Sequence, residues 1–143
     1  MQTVFRGRDF ITLEDYTKEE IETMLEVSKD LKKKMAMGIK TPYLEYQTMF
    51  LMFFEQSTRT RNSMEAGIAQ LGGHANYLDT STMQVSHGEV AKDTAVILSR
   101  FGHGIACRNC FWGIGNKYIR EMAEHSSVQI GRASCRERVY GEC

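Results

Sequence analysis

Residues 47–62 read QTMFLMFFEQSTRTRN: an apolar run over 49–54 breaks off at an acid and an amide, and hydroxyls then alternate with arginines. A nearly continuous apolar stretch of that length fits a strand buried on both faces, as in a parallel sheet, because an exposed face would impose polar alternation. From Ser57 the period changes. Met64, Ile68 and Leu71, with the small Ala66, Gly67 and Ala69, fall at helical spacing, and Gly72-Gly73 ends the helix. The stretch is a strand running into a helix, with three hydroxyls and two arginines over residues 57–61. Two readings of that turn stand open. In one, Ser57 is an N-cap and Arg59 and Arg61 are surface charges; in the other, the turn is a pocket for a phosphate.

Outward from this stretch the same alternation repeats. Thr17-Lys18-Glu19-Glu20 has the form of a capping box, and Ile21, Met24, Leu25, Val27, Ser28 and Leu31 keep mostly to one face, which predicts an amphipathic helix to about residue 37, closed by Gly38. Pro42 lies in the connection that follows, where its missing N–H costs nothing. Residues 75–78 make a second short strand and 79–82 a loop. His87-Gly88-Glu89 leads into a helix whose apolar face carries Val90, Thr94, Ile97, Leu98 and Phe101, stopped by Gly102 and Gly104. Residues 105–108 form a third strand and 116–125 a further helix. Three such alternations predict an α/β fold, a three-layer Rossmann-like parallel sheet with crossover helices.

Composition narrows the function classes. The 143 residues suit one domain, or a piece of one, and 18 basic side chains balance 18 acidic ones, intermixed along the chain, so neither a nucleic-acid stripe nor a disordered polyelectrolyte is present. The longest apolar run is far too short to span a bilayer, and MQTVFRGRDF lacks the apolar core of a signal peptide; a cytoplasmic address with no membrane partner is expected. Of the four cysteines, Cys107 and Cys110 have the CxxC spacing of a metal site, while Cys135 and Cys143 are too widely spaced to complete it; reduced structural thiols and no metal are the expectation.

Ligands of open α/β sheets bind beyond the carboxyl ends of the strands. Three polar clusters fall there: residues 57–61, residues 84–89, and Arg108. The first also opens a helix, whose free N–H groups and positive dipole end attract an anion. Ser57 and Thr58 can cap and donate there, and Arg59 adds a planar fork that matches phosphate oxygens. Gln84, His87 and Glu89 read equally as a polar loop and helix cap. Each signal is weak alone, and their co-location carries the argument.

STRTR after an apolar strand, then LGG, HGE and an arginine at the next strand end, resembles the aspartate and ornithine carbamoyltransferase family. The resemblance spans about residues 5–128 through FEQSTRTR, AQLGGHANYLD, QVSHGEVAKDTAVILSR and ACR, in that order, whereas the GxxxxGK[ST] of a P-loop is absent. It implies that residues 1–129 are a carbamoyl-phosphate-binding domain, with Ser57, Thr58, Arg59 and Thr60 on the phosphate and Arg108 on phosphate and carbamoyl oxygen. Arg59, Thr60 and Arg108 are then the catalytic set, and Arg61 has a structural pairing role. Gln84, and with it His87, would serve a neighbouring subunit's pocket in a homotrimer.

The implied reaction is attack by an amine of ornithine or a related amino acid on carbamoyl phosphate, releasing phosphate, with no metal and no organic cofactor. GIGNKYIRE (residues 113–121) is similar to an uncharacterised carbamoyltransferase-like branch, which leaves the amine acceptor open. A second, amino-acid-binding domain with HPxQ-type and HCLP-type segments belongs to the family and is absent here. His74, His87, His103 and His125 lie in other contexts, so the chain reads as a truncated, inactive fragment. The alternative is a non-catalytic phosphate-binding or oligomerisation module of the same fold. Finally, IGRASCRERV (residues 130–139) is the translation of a common sequencing adapter, so residues 130–143, with Cys135 and Cys143, are expected to be a non-native tail.

Overall fold

In the computed structural model, which describes residues 5–111 and 113–133, the apolar run forms β1 (Thr48–Phe53), buried from Phe50 onward. It is preceded by α1 (Lys18–Ala36) and followed by α2 (Arg59–Gln70), β2 (His74–Asp79), α3 (Ala91–Phe101), β3 (Gly104–Arg108), α4 (Gly115–His125) and β4 (Gln129–Arg132). All strand pairs are parallel, in the order β2-β1-β3-β4. Alternate β1 side chains serve opposite faces. Phe50 and Met52 pack with Ile105, Cys107 and Ile130 against Ala91, Ala95 and Leu98 of α3 and Ile119 and Met122 of α4. Leu51 and Phe53 pack with Ala106 against Ile68 of α2. Helices therefore cover both faces of the sheet, the expected three-layer α/β arrangement.

Four details differ from the sequence reading. The face of α3 is rotated: Thr94 and Leu98 are buried, but Val90, Ile97 and Phe101 are 52%, 47% and 72% exposed, and Ala91, Ala95 and Ser99 are buried instead. Small side chains let the helix approach the sheet closely, and Ser99 Oγ is satisfied by Ala95 O at 2.6 Å and Ser126 Oγ at 2.9 Å. Helix α1 starts at the expected capping box, with Glu20 N on Thr17 Oγ1 at 3.3 Å and Thr17 N on Glu20 Oε2 at 2.9 Å, yet it buries no residue. Residues 80–82 form a 3₁₀ turn, capped by Asp79, rather than an irregular loop.

The fourth difference is β4. Its residues show no hydrophobic period, and the strand is held by the backbone: it pairs with β3 from Gly104↔Gln129 to Cys107↔Arg132. Its outer edge is covered by the N-terminal segment, where Phe10 N donates to Ile130 O and Arg132 N to Phe10 O, both at 2.8 Å, and Ile130 N donates to Asp9 Oδ1 at 2.7 Å. Ile130 is fully buried. Residues 134–143, with Cys135 and Cys143, lie outside the described residues.

Candidate functional site

The strand order makes one place in the sheet special. From β1 the chain passes through α2 to β2, and from β3 it passes through α4 to β4 on the other side, so the connections diverge between two adjacent strands. Such a switch point opens a crevice at the carboxyl ends of the strands. Phe53 and Arg108, the last residues of β1 and β3, are partners in the sheet register. Beyond them the two tips are tied together: Phe54 N donates to Arg108 O at 3.0 Å, Arg108 Nη1 to Gln56 O at 3.3 Å, and Cys110 N to Glu55 Oε1 at 2.6 Å.

Helix α2 starts directly at this switch point. Its N-cap is Thr58, whose φ of −81° and ψ of −53° are helical, and no side chain caps the first turn. A capping hydroxyl needs extended backbone to reach the N2 or N3 amide, so Thr58 cannot serve as an ordinary cap here. Local side chains instead bond to carbonyls: Asn62 Nδ2 donates to Thr58 O at 2.7 Å and Ser63 Oγ to Thr60 O at 2.9 Å. The turn is braced through its acceptors, which leaves its N–H groups and the positive end of the helix dipole facing whatever lies before the helix. Thr58 and Arg59 are exposed, and Ser57 and Thr60 half-buried.

Arg61 points to a different task. Its Nε donates to Glu65 Oε1 at 3.0 Å, an ion pair within α2, and its guanidinium lies 3.6 Å from the centre of the Tyr77 ring, a cation–π contact that fastens α2 to β2. Gln84 and His87 lie on a 3₁₀ turn, Gln84–His87, in the connection after β2, and both are exposed. That connection is itself anchored to the β1 tip, where Thr80 Oγ1 donates to Phe53 O at 3.3 Å. Ser57, Thr58, Arg59 and Thr60 thus follow the tip of β1, Arg108 ends the adjacent β3, and Gln84 and His87 lie on the connection after β2.

Glu55 and Gln56 were not singled out by sequence, because their partners lie 55 and 52 residues away; the only local signal is an acid ending an apolar strand. Cys107 is a buried free thiol whose pKa burial pushes up, with the nearby Glu55 charge adding to the effect, so it is an inert packing residue; Cys110 is half-buried. Among the described residues no group of three His, Cys, Asp or Glu side chains could hold a metal ion, and no helix is long and apolar enough to cross a membrane. An apolar groove of about 380 Å³ lies elsewhere, between the N-terminal segment, Met24 of α1 and the β1, β3 and β4 strands, and contains neither Arg59 nor Arg108.

Comparison with known proteins agrees with this architecture. An ornithine carbamoyltransferase of Halalkalibacterium halodurans is 40% identical over 125 residues, covering 87% of this chain and 38% of the relative. One from Carboxydothermus hydrogenoformans is 39% identical over 126 residues, with 88% and 39% covered. The solved ornithine carbamoyltransferase of Pyrococcus furiosus superposes with a TM-score of 0.82 at 37% identity, covering 91% of this chain and 40% of that one. The chain therefore spans about two fifths of the length of the curated relatives it matches. Residues 8–138 match the family described as aspartate/ornithine carbamoyltransferase, carbamoyl-P binding domain, and the chain belongs to that family.

Proposed function

We propose that this domain binds carbamoyl phosphate at the β1–β3 switch point and, within the complete protein, supports transfer of the carbamoyl group to an amine of ornithine or a related amino acid. The observation that carries the reading is the uncapped N-terminus of α2 beside Arg108, whose guanidinium reaches Gln56 O at 3.3 Å. A dianion answers both features at once: free helix-terminal N–H groups donate to it, and guanidinium forks neutralise it. Ser57, Thr58, Arg59 and Thr60 hold the phosphate. Arg108 contacts phosphate and carbamoyl oxygen, and Thr60 also donates to the carbonyl.

As the amine attacks, the carbonyl carbon becomes tetrahedral, its oxygen gains negative charge, and phosphate departs with the electrons of the C–O bond. Donors aimed at those oxygens lower the barrier because they meet more charge in the transition state than in the ground state. Gln84 and His87 project from an exposed turn toward a neighbouring subunit of a homotrimer, and the amine is supplied by the part of the protein outside this chain. Residues 130–143 are proposed to derive from adapter sequence; an uninterrupted natural reading frame through them in the resequenced gene would refute this.

The test is turnover by the complete protein with carbamoyl phosphate and ornithine, measured as phosphate released and carbamoyl product formed. Arg59→Ala should lower kcat/KM at least about 100-fold, the usual cost of losing one preorganised donor. Near-normal turnover by that variant would remove Arg59 from the site. Phosphate binding without turnover by the unaltered protein would favour a non-catalytic module of the same fold.

A further inference from the structure

We infer that Glu55 is a positioning residue: its carboxylate clamps the connection after β3 and thereby sets Arg108 against the start of α2. The inference rests on the carbamoyl-phosphate reading above and adds to it a residue that never touches the substrate. Three consecutive residues past β1 hold the end of β3 and its continuation: Phe54 N bonds to Arg108 O at 3.0 Å, Glu55 Oε1 accepts from Cys110 N at 2.6 Å, and Gln56 O accepts from Arg108 Nη1 at 3.3 Å. The first and third bonds use the main chain of residues 54 and 56 and do not depend on the side chains there. The middle one depends on a side chain, and it is the shortest of the three.

The connection it holds is tightly built. Asn109 is buried, its Oδ1 accepts from Phe111 N at 3.1 Å, and its carbonyl oxygen lies 2.3 Å from where a β-carbon on Gly115 would stand, so α4 begins in contact with this turn. Glu55 Oε1 supplies the acceptor for the Cys110 amide, and Oε2 is buried with no hydrogen-bond partner among the described residues. A buried carboxylate oxygen left without a partner is costly, so the bond made by the other oxygen has to offset that cost. Without that acceptor the Cys110 amide must find another partner, the turn at 109–111 relaxes, and Arg108, bonded through its own carbonyl to the same tip, moves with it.

The experiment compares Glu55→Ala, Glu55→Asp and Glu55→Gln in the complete protein, with Arg59→Ala as the marker for the underlying reading. Aspartate keeps the charge but is one methylene too short to reach Cys110, whereas glutamine keeps the length and an acceptor oxygen but loses the charge. The expected result is that alanine and aspartate lower kcat/KM on the order of tenfold to a hundredfold, largely through a raised KM for carbamoyl phosphate, while glutamine recovers most of the loss. Protection against heat by inorganic phosphate should need correspondingly more phosphate in the alanine and aspartate variants. Wild-type kinetics in Glu55→Asp, or a loss in Glu55→Gln as large as in Glu55→Ala, overturns the clamp, since charge or nothing would then matter in place of reach. If Glu55→Ala does not fold, the aspartate and glutamine pair decides. If the unaltered protein shows no turnover, the carbamoyl-transfer reading falls and the phosphate-protection midpoints alone judge Glu55; equal midpoints, or no protection, overturn it.

Discussion

Tyr118 of α4 packs edge-on against Phe54, ring centres 4.9 Å apart, and burial pushes its hydroxyl up to about 12 from an ordinary value of 10. The sign of the resulting pH dependence follows directly. Between pH 10 and about 12 the unfolded chain has released a proton that the folded one retains, so Tyr118's contribution is complete below pH 10 and is lost as pH rises through 12. Tyr118→Phe should flatten the alkaline decline of stability across that window, measured by denaturant unfolding at a series of pH values; an unchanged slope would show that other groups govern it. How much a residue reveals in sequence depends on how far away its partner is. The Thr17–Glu20 box was legible because both halves lie within four residues. The uncapped state of Thr58 was not, because it depends on a backbone dihedral, and Glu55 was not, because its partner is 55 residues away.

Among the elements, β1, β2 and β3 were placed within a residue or so by apolar runs and glycine stops, and the glycines themselves make a test. A β-carbon on Gly102, between α3 and β3, would lie 2.4 Å from Phe50 Cε2 and 3.2 Å from Thr48 O. On Gly104, at the start of β3, it would meet Met49 Cε at 2.4 Å, the free end of a flexible side chain that can swing away. Gly102→Ala should therefore cost about 1–3 kcal/mol through overpacking against a rigid buried ring. Gly104→Ala should cost clearly less, and thermal unfolding of the two variants checks the order. The facing of α3 was misread because periodicity marks where apolar residues recur but not which stripe lies against the sheet. Ala91 and Ala95 win over Val90, Ile97 and Phe101 because close approach of helix to sheet and to α4 requires small side chains. Strand β4 left no pattern because its place is set by main-chain bonds to β3 on one edge and to Phe10 on the other.

For the molecule as a whole, a ligand that binds the folded domain and not the unfolded chain raises stability by mass action, by about 2.7 kcal/mol at a hundred times its Kd. Carbamoyl phosphate should accordingly raise the melting temperature of the complete protein in a concentration-dependent way, and Arg59→Ala should abolish most of the shift while leaving the unliganded melting temperature near its original value, because Arg59 is exposed. Equal shifts in both proteins would place the anion elsewhere.

By itself the sequence determined the alternation of strands and helices, the α/β class, and the position of an arginine- and hydroxyl-rich turn at a helix start, since each of these is written in residues within a few positions of one another. The order of the strands, and with it the switch point between β1 and β3, was decided only in three dimensions, as were the facing of α3, the existence of β4 and the bonds that bring Arg108 to the β1 tip. The physical reason is that hydrogen bonds between strand ends and contacts between packed faces join groups far apart in the chain, and neither leaves a period in the residues that make them.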